Sequence, residues 1–114
     1  MPYLLIQTNV ELDAEQQMTL VSQASKTVAA ILGKSEDYVM VTLQPNTMMS
    51  FAGGFESAAY LELKSLDLPE QQTAQFSATL CQLIEQMLNI SPTRIYIEFS
   101  NGQRSLWGWN GKTF

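Results

Sequence analysis

The side chains that most often carry enzymatic chemistry are nearly absent from this sequence. Its 114 residues include no histidine and one cysteine, Cys81. The usual zinc-ligand sets need several such residues, and a serine triad needs a general base that is most often histidine. Both kinds of site are excluded, and we expect neither a metal nor a cofactor. Acid–base chemistry must use carboxylates, lysine, tyrosine, the thiol or the amine at the start of the chain.

Several of these candidate groups also have an ordinary structural explanation. Pro2 precedes a predicted strand and could simply begin it. Lys34 follows a predicted helix, where the helix dipole favours a cation. Tyr96 alternates with two isoleucines along a strand, as many packed tyrosines do. Cys81 lies beside an apolar helix stripe, which is typical of an inert thiol. Taken alone, none of these residues identifies a reaction.

Charge and length exclude several classes of protein. The chain carries 11 acidic and 6 basic residues, a net charge of -5, and has no basic run. We therefore expect no nucleic-acid partner. It also lacks a long apolar segment and a signal peptide, which predicts a soluble, cytoplasmic protein without a membrane partner. One domain over residues 1–114 is expected. A core of this size is marginal, so subunits are expected to share surface.

The chain aligns with itself at an offset of 56 residues without a gap, as Leu12 on Leu68 and Val28 on Ile84 show. Residues 3–45 and 57–101 form the two copies. Each copy reads strand, helix, strand, because apolar residues recur first at every second position and then at every third or fourth.

The elements that must position any site follow from this repeat. Strands are predicted at Tyr3–Thr8 and at 57–63, each followed by a helix of about 18 residues. Asp13 with Gln16 predicts a capping box, and Asp67 ahead of Pro69 predicts the second helix start. The helices are expected to end at Gly33 and Asn89, the residue types that best tolerate a left-handed conformation.

Two such units predict an α+β (α/β) fold, a four-stranded sheet with both helices on one face. Alternate strand residues would then face water in a monomer, which predicts oligomers whose sheets pack together. Leu4, Ile6, Tyr60 and Ile97 are expected on that open face. Asn101–Gly102 is typical of a hairpin turn, and the segment 106–109 is expected to pair with a neighbouring subunit. Residues 46–56 form a predicted apolar loop.

Segments spread over the whole chain resemble the macrophage migration inhibitory factor family. They are the Met-Pro start, Thr8-Asn9-Val10, Leu32-Gly33-Lys34, Tyr38, Ser50-Phe51-Ala52-Gly53-Gly54, Leu88-Asn89-Ile90-Ser91-Pro92, Arg94-Ile95-Tyr96-Ile97 and Gly108-Trp109-Asn110. The resemblance implies the tautomerase fold, in which β-α-β repeats assemble as a homotrimer with active sites between subunits.

The resemblance also implies a reaction. Pro2 matches the family's catalytic base, a proline exposed when the initiator methionine is removed. An amine in an apolar pocket loses protons more readily, so it can act as a base near pH 7. Lys34 matches the family's substrate-binding lysine, which would attract a carboxylate and further lower the pKa of the amine. The implied activity is tautomerisation of an aromatic 2-keto acid such as phenylpyruvate.

The remaining site residues are carried over in the same way. Leu66 matches a position whose backbone N–H contacts the substrate. Tyr38, Trp109 and Phe114 match aromatic pocket positions that would hold a planar substrate and exclude water. Tyr96 matches a pocket tyrosine contributed across the subunit interface.

Two departures from the family pattern affect the pocket. Glu98 replaces an asparagine at the rim, where a carboxylate would oppose an anionic substrate. Trp107 replaces a small aliphatic residue, and its indole would narrow the mouth. These departures leave substrate preference open and motivate an alternative, a trimeric binding or signalling protein with little or no catalysis. Cytokine-like receptor binding is not predicted from this chain.

Overall fold

Four strands form one mixed sheet in the computed structural model, which describes every residue from Met1 to Phe114. They are β1 (Tyr3–Thr8), β2 (Met40–Gln44), β3 (Ala59–Leu66) and β4 (Ile95–Gly102), in the order β2-β1-β3-β4. Both outer pairs are parallel, and the central pair β1–β3 is antiparallel. Helices α1 (Ala14–Leu32) and α2 (Thr73–Leu88) connect the parallel pairs. The predicted α+β fold with two β-α-β units is confirmed.

Local signals set three of the four helix ends as predicted. The Asp13 carboxylate accepts from the Gln16 N–H at 2.8 Å, and the Gln16 side chain accepts from the Asp13 N–H at 3.0 Å. This is a complete capping box, which satisfies two otherwise unpaired donors of α1. Gly33 and Asn89 end the helices in left-handed conformations, with φ of 63° and 56°.

The start of α2 differs from the prediction. Asp67 does not cap the helix: its φ is 53°, and its carboxylate accepts from Arg104 at 2.6 Å. The Asn101 side chain hydrogen-bonds both the N–H and the carbonyl of Leu68, which holds this segment against β4. Pro69 is the extended cap of a 3-10 turn at Glu70–Gln72, through which the chain enters α2. β3 spans Ala59–Leu66 instead of the predicted 57–63, because its pairing with β4 runs from Ala59–Ile95 to Leu66–Gly102.

The core lies between the helices and one face of the sheet. Leu4, Ile6, Leu61 and Leu63 are fully buried there against Val28, Leu80 and other helix residues. The assignment of Leu4, Ile6 and Ile97 to the open face is wrong, because the strand alternation points them toward the helices. Ile97 is half-buried and packs against the core.

The open face of the sheet has a polar centre. The Tyr60 hydroxyl lies 3.0 Å from Glu62 Oε1 and 3.0 Å from Glu98 Oε2. Burial and these two carboxylates raise the pKa of Tyr60 above its ordinary value, so the hydroxyl keeps its proton. The open face is therefore polar at its centre, whereas Met40 and Tyr96 on the two edge strands are exposed on it. Of the four residues predicted for this face, Tyr60 alone lies on it.

The last residues fold back within the chain. Asn101–Gly102 ends β4 and makes no hairpin, because β4 stays paired with β3 to the Leu66–Gly102 register. The hairpin instead joins β5 (Gly108–Trp109) to β6 (Lys112–Thr113). Its turn residues, Asn110 and Gly111, have φ of 54° and 73°, as a tight hairpin turn requires. Within the segment 106–109, Gly108 and Trp109 thus pair with Thr113 and Lys112 of the same chain. Pairing of this segment with a neighbouring subunit stays a prediction.

Residues 46–56 form the predicted loop. In it, the backbone N–H groups of Phe51 and Gly54 each donate a hydrogen bond to the other's carbonyl across a tight turn. The Arg94 guanidinium fastens this loop by donating to the carbonyls of Phe51, Glu56 and Ser57. Neither helix has the length and apolar character needed to cross a membrane.

Candidate functional site

A cavity of about 550 Å³ opens where the start of the chain meets its C-terminal segment. Its walls come from Met1–Tyr3, from Tyr38 and Met40, from Lys64, and from residues 106–109. The N–H of Met40 donates to the carbonyl of Pro2 at 3.1 Å, which continues the β1–β2 pairing to the start of the chain. The sheet itself therefore positions Pro2 at this cavity.

Aromatic rings form one side of the cavity. Tyr38 meets Trp109 edge to face with ring centres 5.7 Å apart, and Trp109 stacks on Phe114 at 5.9 Å. Tyr38 ends a 3-10 turn capped by Ser35, and Trp109 belongs to the C-terminal hairpin. The N–H of Phe114 donates to the Trp107 carbonyl, which holds the chain end in place. The three aromatic residues predicted for the site lie together.

A second positive charge lies next to the amine of Met1, one of the residues that line the cavity. The Lys34 ammonium follows the Gly33 cap and donates to the Leu66 carbonyl at 2.5 Å and the Ser65 hydroxyl at 3.1 Å. It also lies close to the amine of Met1. Partial burial, and next the charge of Lys34, lower the pKa of that amine, while the nearby Asp67 opposes the shift. Pro2, Lys34 and Leu66 are thus brought to one place.

Tyr96 is not brought to this place within one chain. It lies beside Tyr60 and Gln7 in the sheet register, whereas the cavity begins at Tyr3. Four residues along β1 correspond to roughly 13 Å. The Tyr96 side chain is 67% exposed, and its ring lies 5.0 Å from that of Phe51.

The two departures from the family pattern take different positions. Glu98 lies on the open face with its carboxylate at the Tyr60 hydroxyl. Trp107 lines the cavity, and its indole packs on Gly102. A Cβ at Gly102 would stand 2.8 Å from Trp107 Cδ1. Only glycine therefore lets the indole pack in this position without a clash.

The sequence reasoning missed Lys64, Met40 and Leu106 as cavity residues. Lys64 follows Tyr60 and Glu62 at a spacing of two, which places all three on the open face. The antiparallel register sets Lys64 directly beside Tyr3. The spacing is visible in the sequence, but the register that brings Lys64 to the start of the chain requires the strand pairing. No group of three or more metal-ligating side chains occurs in the structure.

Comparison with known proteins agrees with this architecture. The family model for macrophage migration inhibitory factor (MIF) matches residues 1–114. The chain is 33% identical to macrophage migration inhibitory factor of Meriones unguiculatus, with 100% of this chain and 99% of the relative covered. It is 34% identical to the homolog of Brugia malayi, over 100% and 99%.

Among solved structures, the macrophage migration inhibitory factor homologue of Prochlorococcus marinus superimposes with a TM-score of 0.92 at 41% identity, covering 98% of both chains. The family model and the curated relatives each extend over the whole chain. The chain therefore belongs to the macrophage migration inhibitory factor family.

Proposed function

We propose that the protein is a tautomerase that interconverts the enol and keto forms of an aromatic 2-keto acid such as phenylpyruvate. The observation that most supports this proposal is the position of Pro2 at an aromatic cavity beside the ammonium of Lys34. Removal of Met1 would convert the Pro2 nitrogen from an amide into a secondary amine, which is basic enough to move a proton.

The reaction needs one base and no cofactor. The neutral Pro2 amine removes the proton from the enol hydroxyl, and the resulting ammonium returns it to the neighbouring carbon, so the substrate is only isomerised. Burial and Lys34 lower the pKa of the amine at Met1. We expect the same direction for an amine at Pro2, because it would share the cavity. A lowered pKa keeps more of the base neutral at pH 7.

The other residues bind the substrate. Lys34 attracts the carboxylate, and the backbone N–H of Leu66 contacts it as the family resemblance implies. Tyr38, Trp109 and Phe114 form the wall against which an aromatic ring packs. The apolar wall also excludes water, which maintains the low amine pKa.

Tyr96 would complete the pocket from a neighbouring copy in a homotrimer. Its exposed ring and its place at the far end of the sheet suit contact with another subunit. Met48, Phe55 and Leu106 are also at least 72% exposed, and association would cover such side chains.

The test is the ketonisation rate of enol phenylpyruvate, followed by absorbance, with the intact mass confirming that Met1 has been removed. Pro2→Gly keeps a free amine but loses the secondary amine and its ring, so kcat/KM is expected to fall at least about 100-fold. Ala58→Gly, at the position aligned with Pro2 in the sequence repeat and buried just ahead of β3, is the control and should stay near the parent rate. A parent rate equal to buffer would refute the proposal.

The pH profile adds a second check. Because the base must be neutral, kcat/KM should rise with pH through an acid limb centred below the ordinary amine value of 8.0. Lys34→Gln removes a nearby positive charge, so the limb should move to higher pH. The alternative, a binding protein with little catalysis, is favoured by Glu98 and Trp107 and predicts no such limb.

A further inference from the structure

We propose that Lys64 binds a second acidic group of the substrate, so that the cavity prefers an aromatic acid with two carboxylates to one with a single carboxylate. The inference rests on the proposed function and specifies its substrate class. It concerns a residue for which the family resemblance supplied no role in this chain.

The position of Lys64 is the first support. It lies on β3 directly opposite Tyr3, the residue after Pro2, and lines the cavity together with Tyr38 and the segment 106–109. Among the lining residues it has the one charged side chain, and seven of the ten are hydrophobic. An ammonium beside apolar walls attracts an anion more strongly than one surrounded by water, because the walls lower the local dielectric constant.

The availability of Lys64 is the second support. Its one acidic partner is Glu62, at 3.7 Å, and the Lys64 side chain is 45% exposed. Exposed pairs at this distance are weak and exchange readily with other anions. The lysine can therefore turn to a substrate carboxylate without leaving a buried charge unpaired.

The two lysines of the site lie on opposite sides of β3. Lys34 donates to Ser65 and Leu66 from the helix side, whereas the alternation of β3 directs Lys64 to the open face. Pro2 directly precedes β1, the strand that pairs with β3. This arrangement places a local positive region at the cavity of a chain whose net charge is -5. A ligand with two separated acidic groups matches it better than a ligand with one.

Binding can be measured without catalysis, because the chain's two tryptophans, Trp107 and Trp109, both line the cavity. Quenching of their fluorescence is titrated with 3-phenylpropionate and with 3-(4-carboxyphenyl)propionate, which differ by one carboxylate. We expect the parent to bind the diacid about three- to tenfold more tightly, as for a partly shielded ion pair. Lys64→Gln should remove this preference and leave monoacid binding within about twofold.

Two further variants sharpen the result. Lys26→Gln removes the same charge from an exposed position on α1 and should leave the preference unchanged. Glu62→Gln removes the competing carboxylate and should increase it. A preference that survives in Lys64→Gln, a parent without preference, or a parent that binds neither acid would each overturn the proposal. A parent that shows the preference but fails to ketonise phenylpyruvate would contradict the proposed function alone.

Discussion

The two repeats share one backbone plan and differ in every residue that could do chemistry. At the offset of 56, Pro2 corresponds to Ala58 and Lys34 to Ile90. Ala58 is buried beside β3, where its carbonyl accepts from the Thr8 hydroxyl, and Ile90 is 1% exposed in the core. Only the first repeat therefore has a proline ahead of its first strand and a lysine after its helix.

The 3-10 turns show the same divergence on a shared frame. Ser35 and Ser91 each cap a turn, and these turns end at Tyr38 and Arg94. Tyr38 faces the cavity, whereas the Arg94 guanidinium donates its hydrogen bonds to carbonyls that hold the loop 46–56 in place. The repeat therefore specifies packing, while a few substituted positions decide which end of the sheet carries the candidate site.

The largest change in stability is expected when residues are exchanged between the repeats. Ile90→Lys places an unpaired ammonium in the core, which should destabilise the fold by about 4 kcal/mol or more. We expect little soluble protein, or a transition in urea at far lower concentration than the parent. Ile90→Val should cost only about 1 kcal/mol, which separates lost volume from buried charge.

The reciprocal change, Lys34→Ile, should fold, because Lys34 is half-buried and the Ser65 hydroxyl keeps its bond to the Leu66 carbonyl. Its stability should change by about 1 kcal/mol or less. An Ile90→Lys protein as stable as the parent would show that the second repeat can hold the same site.

The second prediction concerns Arg94, the counterpart of Tyr38. Arg94→Met removes three hydrogen bonds to loop carbonyls and the contact with the Phe51 ring, 5.2 Å from the guanidinium carbon. Unfolding free energy should fall by about 2 kcal/mol, since the donors are charged and partly buried. In this variant, deuterium exchange should accelerate more for the amides of residues 51–57 than for those of β1.

Tyr38→Met provides the contrast for Arg94. It should leave exchange in residues 51–57 unchanged and alter the fluorescence of Trp109, its edge-to-face partner. If Arg94→Met leaves that exchange unchanged, the guanidinium does not fasten the loop.

The elements could be predicted from the sequence where their signals are local. The capping box of Asp13 and the left-handed ends at Gly33 and Asn89 depend on neighbouring residues, and they were predicted correctly. The choice of hairpin failed because two Asn-Gly pairs occur, and only long-range pairing of β4 with β3 shows that the first of them continues a strand.

The same distinction holds for the candidate site. Pro2, Lys34 and the aromatic residues were identified because their family pattern is colinear. Lys64 was missed because it reaches the cavity only through the antiparallel register of β3 with β1. The open face was misassigned by one position in β1 and β4, and in a strand a shift of one residue exchanges the two faces. In β3 the assignment of Tyr60 to the open face was correct.

The smallest expected effect tests the difference between the helix starts. At the offset of 56, Asp13 corresponds to Pro69, so the second repeat has no carboxylate at the position where α1 is capped. Asp67, two residues earlier, instead pairs with Arg104 through side chains that are 68% and 62% exposed. A cap satisfies a backbone donor that has no other partner, whereas an exposed ion pair exchanges with water at little cost.

Asp13→Ala should therefore lower the free energy of unfolding by about 1 kcal/mol. Arg104→Met, which removes the Asp67 pair without changing the left-handed residue, should lower it by less than about 0.5 kcal/mol. Urea titrations at one protein concentration measure both, because association would make stability depend on concentration. Equal losses would mean that the Asp67–Arg104 pair anchors the start of the second helical segment as firmly as the capping box anchors α1, and the two repeats would then be stabilised alike.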